Sequence, residues 1–160
     1  MDIGRALRNL VAVEGGLEDL YGWFAELFGA DEEASALFAT MSREEGGHRA
    51  MVEMQQRLAL NDRAAFGEVP GDDAPMHGLR DEIRVLRAEE PPPDLNRAVT
   101  SALMFEVHGA EVYSAELLTR SYPELGKLMG TLKKANDEHF GRLQRFAEER
   151  GMLVWVDPDE

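Results

Sequence analysis

A chain of 160 residues, with 44% hydrophobic and 30% charged side chains, is the size and make-up of one soluble domain around one core. Its net charge of −14 argues against nucleic acid as a partner, because phosphate backbones call for a basic footprint. It contains no cysteine, which removes disulfides, thiolate catalysis and every thiolate-held metal site, so any metal must be held by carboxylate and imidazole. No apolar run reaches the roughly 18 residues of a membrane span, and Met1-Asp2-Ile3-Gly4-Arg5 lacks the basic-then-apolar order of a secretion signal. The expected compartment is the cytoplasm.

Taken in order, residues 3–28 are expected to form a helix, because Leu7, Leu10, Leu17, Tyr21, Phe24 and Phe28 recur at intervals of three and four. Glu14 falls inside that stripe. Gly29-Ala30 stops the helix, and Asp31 is placed to cap a second one over about 32–60, with Glu32 and Glu33 favourable in its first turn. The second apolar face carries Leu37, Met41, Val52 and Leu58, and also Glu45 and His48. Residues 61–94 break the pattern with Gly67, Pro70, Gly71, Pro75 and Pro91-Pro92-Pro93, enclosing a short amphipathic helix on Leu79, Ile83 and Leu86. Asp94 caps a third long helix, about 95–120, whose face bears Val99, Leu103, Glu106, Ala110, Tyr113 and Leu117. Ser121-Tyr122-Pro123-Glu124 reads as a capping box opening a fourth, about 122–150, with Leu125, Leu128, Leu132, His139, Leu143 and Phe146 inward. Gly151 ends it, leaving 152–160 as a short tail expected to pack on the bundle.

A carboxylate or imidazole on an apolar face is costly unless something pairs with it. Glu45 and His48, three apart, leave one helix face a turn apart. A single Glu-x-x-His is a weak signal, but the chain repeats it in a larger frame. Glu14 precedes Tyr21 by seven residues, as Glu106 precedes Tyr113, and Glu45 lies 31 residues after Glu14 where Asn136 lies 30 after Glu106. His48 and His139 each follow by three. Two hairpins joined by a long crossover would bring these residues from four helices into one interior, the arrangement of di-iron and di-manganese carboxylate bundles.

On the motifs Glu14…Tyr21, Glu45-x-x-His48, Glu106…Tyr113 and the partial Asn136-x-x-His139, the chain resembles the ferritin-like superfamily in its bacterioferritin and rubrerythrin-like branch. The resemblance covers about residues 5–150. It implies an all-α, ferritin-like four-helix bundle over 1–151, with a long crossover containing a short helix between the second and third long helices. It also implies a metal site built from Glu14, Glu45, His48, Glu106 and His139. Two ferrous ions there, bridged by Glu45 with Glu106 as a second candidate bridge and Glu14 terminal on one of them, would reduce dioxygen or hydrogen peroxide with electrons from a donor the chain does not name. Manganese and zinc suit the same ligands. Asn136 departs from the pattern, since an amide replaces the expected carboxylate and weakens one of the two positions, giving an asymmetric di-metal site or, as the next reading, a single-metal site; Asp137 would need a register shift to take its place.

Other readings stand beside this one. Each glutamate alone is more often a solvated carboxylate than a ligand. Tyr21 and Tyr113 read as core aromatics whose hydroxyls bond a ligating carboxylate. His77 and His108 are expected at the surface, and Lys127, Lys133, Lys134, Arg142 and Arg145 on a solvated face. Gly15, Gly16, Gly46, Gly47 and Gly109, close to the expected ligands, serve close helix packing or leave room for a substrate. For function, ferroxidase or rubrerythrin-like peroxidase activity comes first. The alternatives are hydroxylation of a small organic molecule, an iron-storage subunit, and a degenerate bundle acting as an interaction module. A homo-oligomer, dimer or larger, is expected.

Overall fold

The computed structural model of this chain describes residues 3–61, 74–113 and 123–154. The side chains of 110–113 and 123–125 lie outside that description. So do the expected helical residues 114–120, Ser121 and Tyr122 of the capping box, the part of the crossover at 62–73 and the tail from Trp155 onward.

Five helices account for the regular structure of the described residues: α1 (Ile3–Leu27), α2 (Glu32–Asn61), α3 (Ala74–Arg87), α4 (Leu95–Tyr113) and α5 (Pro123–Glu149). No strand occurs among these residues. The chain is an all-helical bundle. The short connection between α1 and α2 makes them neighbours, α4 packs on α5, α3 lies against α1 and α4, and α2 touches α5. None of the described helices is long and apolar enough to cross a membrane.

The α1–α2 pair is held by groups the sequence supplies at set points. α1 buries Leu7, Leu10, Leu17, Tyr21 and Phe24 as its periodicity predicts, and unwinds at Phe28, one residue earlier than expected. Asp31 caps α2 through its Oδ1, which accepts from the Ala34 amide at 3.1 Å. Two α2 hydroxyls then reach α1 carbonyls: Ser35 donates to Ala25 O and Ser42 to Glu18 O, both at 2.9 Å. A Cβ on Gly22 would lie 3.3 Å from Ser42 Oγ, so glycine there permits the close approach. Phe24 and Phe38 pack tilted with ring centroids 5.0 Å apart. Each buries its whole side chain, which contributes about 1.5–3 kcal/mol apiece from area alone.

α4 begins at Asp94, whose Oδ1 accepts from the Arg97 amide at 2.8 Å. α5 ends in a Schellman turn. Gly151 adopts φ +62, its amide donates to Glu148 O at 3.1 Å, and the Met152 amide donates to Ala147 O at 2.9 Å. Arg150 fastens this end to the α1–α2 turn by pairing with both oxygens of Asp31 and, at 2.7 Å, with Glu33 Oε2. After the turn Met152 and Val154 rest against the core, while Leu153 is exposed.

Several expectations change. Leu58 is exposed and Ala59 takes the buried position near the end of α2. His77 sits on α3 rather than in an irregular link. His108 is only one-third exposed and stands 3.5 Å from Glu82 Oε2. Arg142 belongs to no plain solvated face, since its guanidinium binds Glu44.

Candidate metal centre

Four helices aim carboxylates and imidazoles into one layer of the core. Glu14 comes from α1, Glu45 and His48 from α2, Glu106 from α4 and His139 from α5, and all five are buried. The layers around them are apolar. Leu10 and Leu17 flank Glu14 along α1, Met41 and Val52 flank the α2 pair, Leu103 lies a turn before Glu106, and Leu143 a turn after His139. Each is at most 3% exposed, so water is kept from the polar layer above and below.

The five residues form two groups that share a member. One ligand atom from each of Glu14, Glu45 and His48 lies within 4.8 Å of the others, and the same holds for Glu45, Glu106 and His139. His48 Nδ1 is 2.9 Å from Glu45 Oε2 and 3.6 Å from Glu14 Oε2. His139 Nδ1 is 3.0 Å from Glu45 Oε1 and 3.5 Å from Glu106 Oε1. Glu45 therefore presents one oxygen to each histidine, and the two rings lie 5.6 Å apart.

This layer leaves buried polar atoms unsatisfied. Glu45 Oε1, Glu106 Oε2 and His139 Nδ1 have no hydrogen-bond partner. The 3.0 Å approach of His139 Nδ1 to Glu45 Oε1 lacks hydrogen-bond alignment, so proximity there is charge attraction only. Native cores rarely tolerate such orphans, and clustered ones call for an unseen partner. Three carboxylates facing two imidazoles gather negative charge in a low-dielectric interior, which bound protons or a cation must offset. The donor set fits a divalent metal.

The protonation states follow from the same geometry. Burial pushes the Glu106 carboxyl up against the opposing pull of the nearby His139 ring, the adjacent Glu45 charge raises it further, and the Tyr21 hydrogen bond works the other way. Burial also acts to raise Glu45, but its contacts with His139 and His48 outweigh that and hold it well below the ordinary carboxylate value. Burial alone would lower His139; Glu106 and Glu45 reverse this and raise it to about 10. Without a metal, a proton on His139 supplies part of the missing positive charge. A bound cation would replace that proton.

Tyr21, fully buried, donates its hydroxyl to Glu106 Oε1 at 2.5 Å. Burial and the surrounding carboxylates raise its pKa well above that of an ordinary phenol, so it remains a neutral donor. Its expected counterpart Tyr113 lies on α4 with its side chain outside the description. Asn136 is buried next to the group and donates through Nδ2 to the Glu106 backbone carbonyl at 3.4 Å. Asp137 and Glu138 are exposed, so the register shift that would recruit Asp137 does not occur.

Glu44 was not anticipated. It accepts from His139 Nε2 at 2.9 Å and from Arg142 at 2.7 Å. Burial would raise its pKa, but Arg142 and His139 overcome that and keep it ionised. An ionised carboxylate only accepts, so Nε2 carries a proton and Nδ1 is the atom turned to the carboxylates. A carboxylate behind the far nitrogen is the usual device for orienting a metal-bound histidine. Its signal was present in sequence only as a second glutamate beside Glu45, and nothing local tied it to a residue 95 positions away.

Among the glycines, Gly46 has a steric reason: a Cβ there would come within 2.9 Å of Glu18 Oε1, and Glu18 holds Arg49 at 2.9 Å. Gly47 has open space around it. No family model, no curated protein and no solved structure matches this chain.

Proposed function

We propose that the chain is a ferritin-like four-helix-bundle metalloprotein that binds two divalent cations, with iron the first choice, and acts as a ferroxidase or rubrerythrin-like peroxidase. The observation that carries this reading is the sharing of Glu45 by two buried three-ligand groups drawn from four helices. Glu14, Glu45 and His48 would hold one cation, and Glu45, Glu106 and His139 the other. An iron pair would supply one-electron oxidation steps toward dioxygen or hydrogen peroxide.

The protein's own residues have assignable tasks. Glu45 links the two positions, with an oxygen facing each histidine. Glu44 fixes the orientation of His139, and Arg142 keeps Glu44 charged. Tyr21 holds Glu106 Oε1 by donating to it and leaves Oε2 unpartnered. The apolar residues along each helix exclude bulk water, which strengthens the hold of carboxylates on a cation. Asn136, engaged with the Glu106 carbonyl, adds no negative charge, so the position at His139 has one carboxylate fewer than the family pattern and is the weaker of the two.

That same asparagine supports a second reading, a degenerate bundle without redox chemistry. Aerobic addition of ferrous iron separates the two: near-ultraviolet absorption by a ferric product supports the first, and a colourless protein that retains no metal supports the second. Solution mass then distinguishes a storage cage from a dimer, and peroxide turnover with an artificial electron donor distinguishes a peroxidase from a store.

A further inference from the structure

A cleft of about 660 Å³ lies between α1 and α3, outside the metal layer. Arginine dominates it: Arg80, Arg84 and Arg87 of α3 and Arg49 of α2 all line it. The chain carries only 17 basic residues against 31 acidic ones, so four arginines around one cleft go against its overall charge. The local pattern explains how they gather. α3 buries Met76, Leu79, Ile83 and Leu86, and the residue after each of the last three is Arg80, Arg84 or Arg87. Turned about 100° from the apolar stripe, they form a basic stripe along the cleft's edge.

Nearby carboxylates do not use up this charge. Arg84 stands 3.2 Å from Asp81, Arg87 3.9 Å from Asp19, and Arg49 2.9 Å from Glu18. Arg80 makes no ion pair among the described residues. Arg49 also stands 3.8 Å from Glu53 Oε1, but each guanidinium has five N–H donors, so these contacts leave donors over. The floor of the cleft is different in kind, formed by Ala12, Gly15, Gly16 and Ile83. A Cβ on Gly16 would meet Ile83 only at 3.6 Å, an ordinary contact. Helix packing therefore does not require glycine at a position where it is less stable than alanine. Its effect is to keep the floor low and flat.

We propose that this cleft binds a small phosphate-bearing anion, its phosphates held by the arginine stripe over the glycine-lined floor. Planar guanidinium forks match phosphate oxygens in pairs, and the volume falls in the range of small-ligand and cofactor sites. The lining residues Gly15 and Arg49 directly follow Glu14 and His48 in the chain, so an occupant would lie beside the helices that carry the metal group. The site does not depend on whether that group holds a metal.

The test is isothermal titration of the full chain with ADP and, separately, inorganic pyrophosphate, at low salt and without magnesium. Saturable one-to-one binding is expected, weakening as salt is added. Arg80→Ala/Arg84→Ala should lower the affinity about tenfold or more. The matched removal of two charges from α5, Lys133→Ala/Lys134→Ala, should leave it unchanged. All four side chains are exposed, and helicity by circular dichroism checks that the variants fold. Tighter binding of ADP than of pyrophosphate assigns the site to a nucleotide-like ligand; equal binding assigns it to the phosphate group alone. Failure of both probes to saturate, or an equal loss in the lysine variant, overturns the proposal.

Discussion

Replacing Glu44 with alanine removes the carboxylate that accepts from His139 Nε2 at 2.9 Å and leaves the five inward ligand residues untouched. Its effect on folding should be small. Glu44 and Arg142 are both about one-third exposed, and a pair at that exposure contributes within about 1 kcal/mol. Metal binding should respond more strongly, because losing the group that orients a ligating histidine lowers affinity about 10–100-fold, equivalent to about 1.4–2.7 kcal/mol. The loss should fall on one position of two, since His48 meets its carboxylates independently of Glu44. Glu44→Gln, which retains an acceptor without the charge, should lie between wild type and alanine. Competition between the protein and a chelating dye for manganese or cobalt, read as a two-step titration, measures both positions. Equal weakening of the two steps, or a change of less than twofold in either, would refute the assignment of Glu44 as the group that orients His139.

Other consequences are open to direct measurement. Tyr21→Phe takes a hydroxyl donor from Glu106 Oε1 in a fully buried setting and should cost about 1–3 kcal/mol in denaturant unfolding of chelator-treated protein. Metal loading near neutral pH should release protons, because His139 is raised to about 10 in the metal-free state; calorimetry in buffers of different ionisation enthalpy counts them. The raised value also sets a stability trend: the His139 contribution is complete below about pH 6.5 and lost as pH rises through about 10. The melting temperature of metal-free protein should therefore fall across that window, and that of loaded protein should fall less. Asn136→Asp places a further buried carboxylate next to Glu106, so it should destabilise the metal-free form and tighten the weaker metal step; unchanged metal binding would put Asn136 outside the coordination layer.

Much of the site was legible before the structure because its signals are periodic. Glu14, Glu45, Glu106 and His139 fall on apolar stripes, and residues on the inward face of a long helix have nowhere else to point. The repeat between hairpins then tied positions about 30 apart. Glu44 escaped because it is one residue off that stripe and resembles an ordinary surface carboxylate; only the approach of α5 gives it His139 and Arg142. Arg142 was missed for the same reason from the opposite side. Leu58 shows the converse error: it lies six residues after Val52 and is exposed, while Ala59, seven after and two turns along the same face, takes the buried position. The amphipathic helix on Leu79, Ile83 and Leu86 was legible with arginines on its outer side, but not the cleft against α1 that three of them line. For Asn136 the sequence revealed the break in the pattern, and the structure shows what the amide does instead, donating to the Glu106 carbonyl.

The central claim is that the buried Glu and His residues hold two cations that share Glu45. Elemental analysis of protein purified without chelators and then loaded aerobically with ferrous iron tests it most directly. The account predicts close to two metal ions per chain, the second lost first on dialysis. About one ion per chain or fewer at saturation would contradict it.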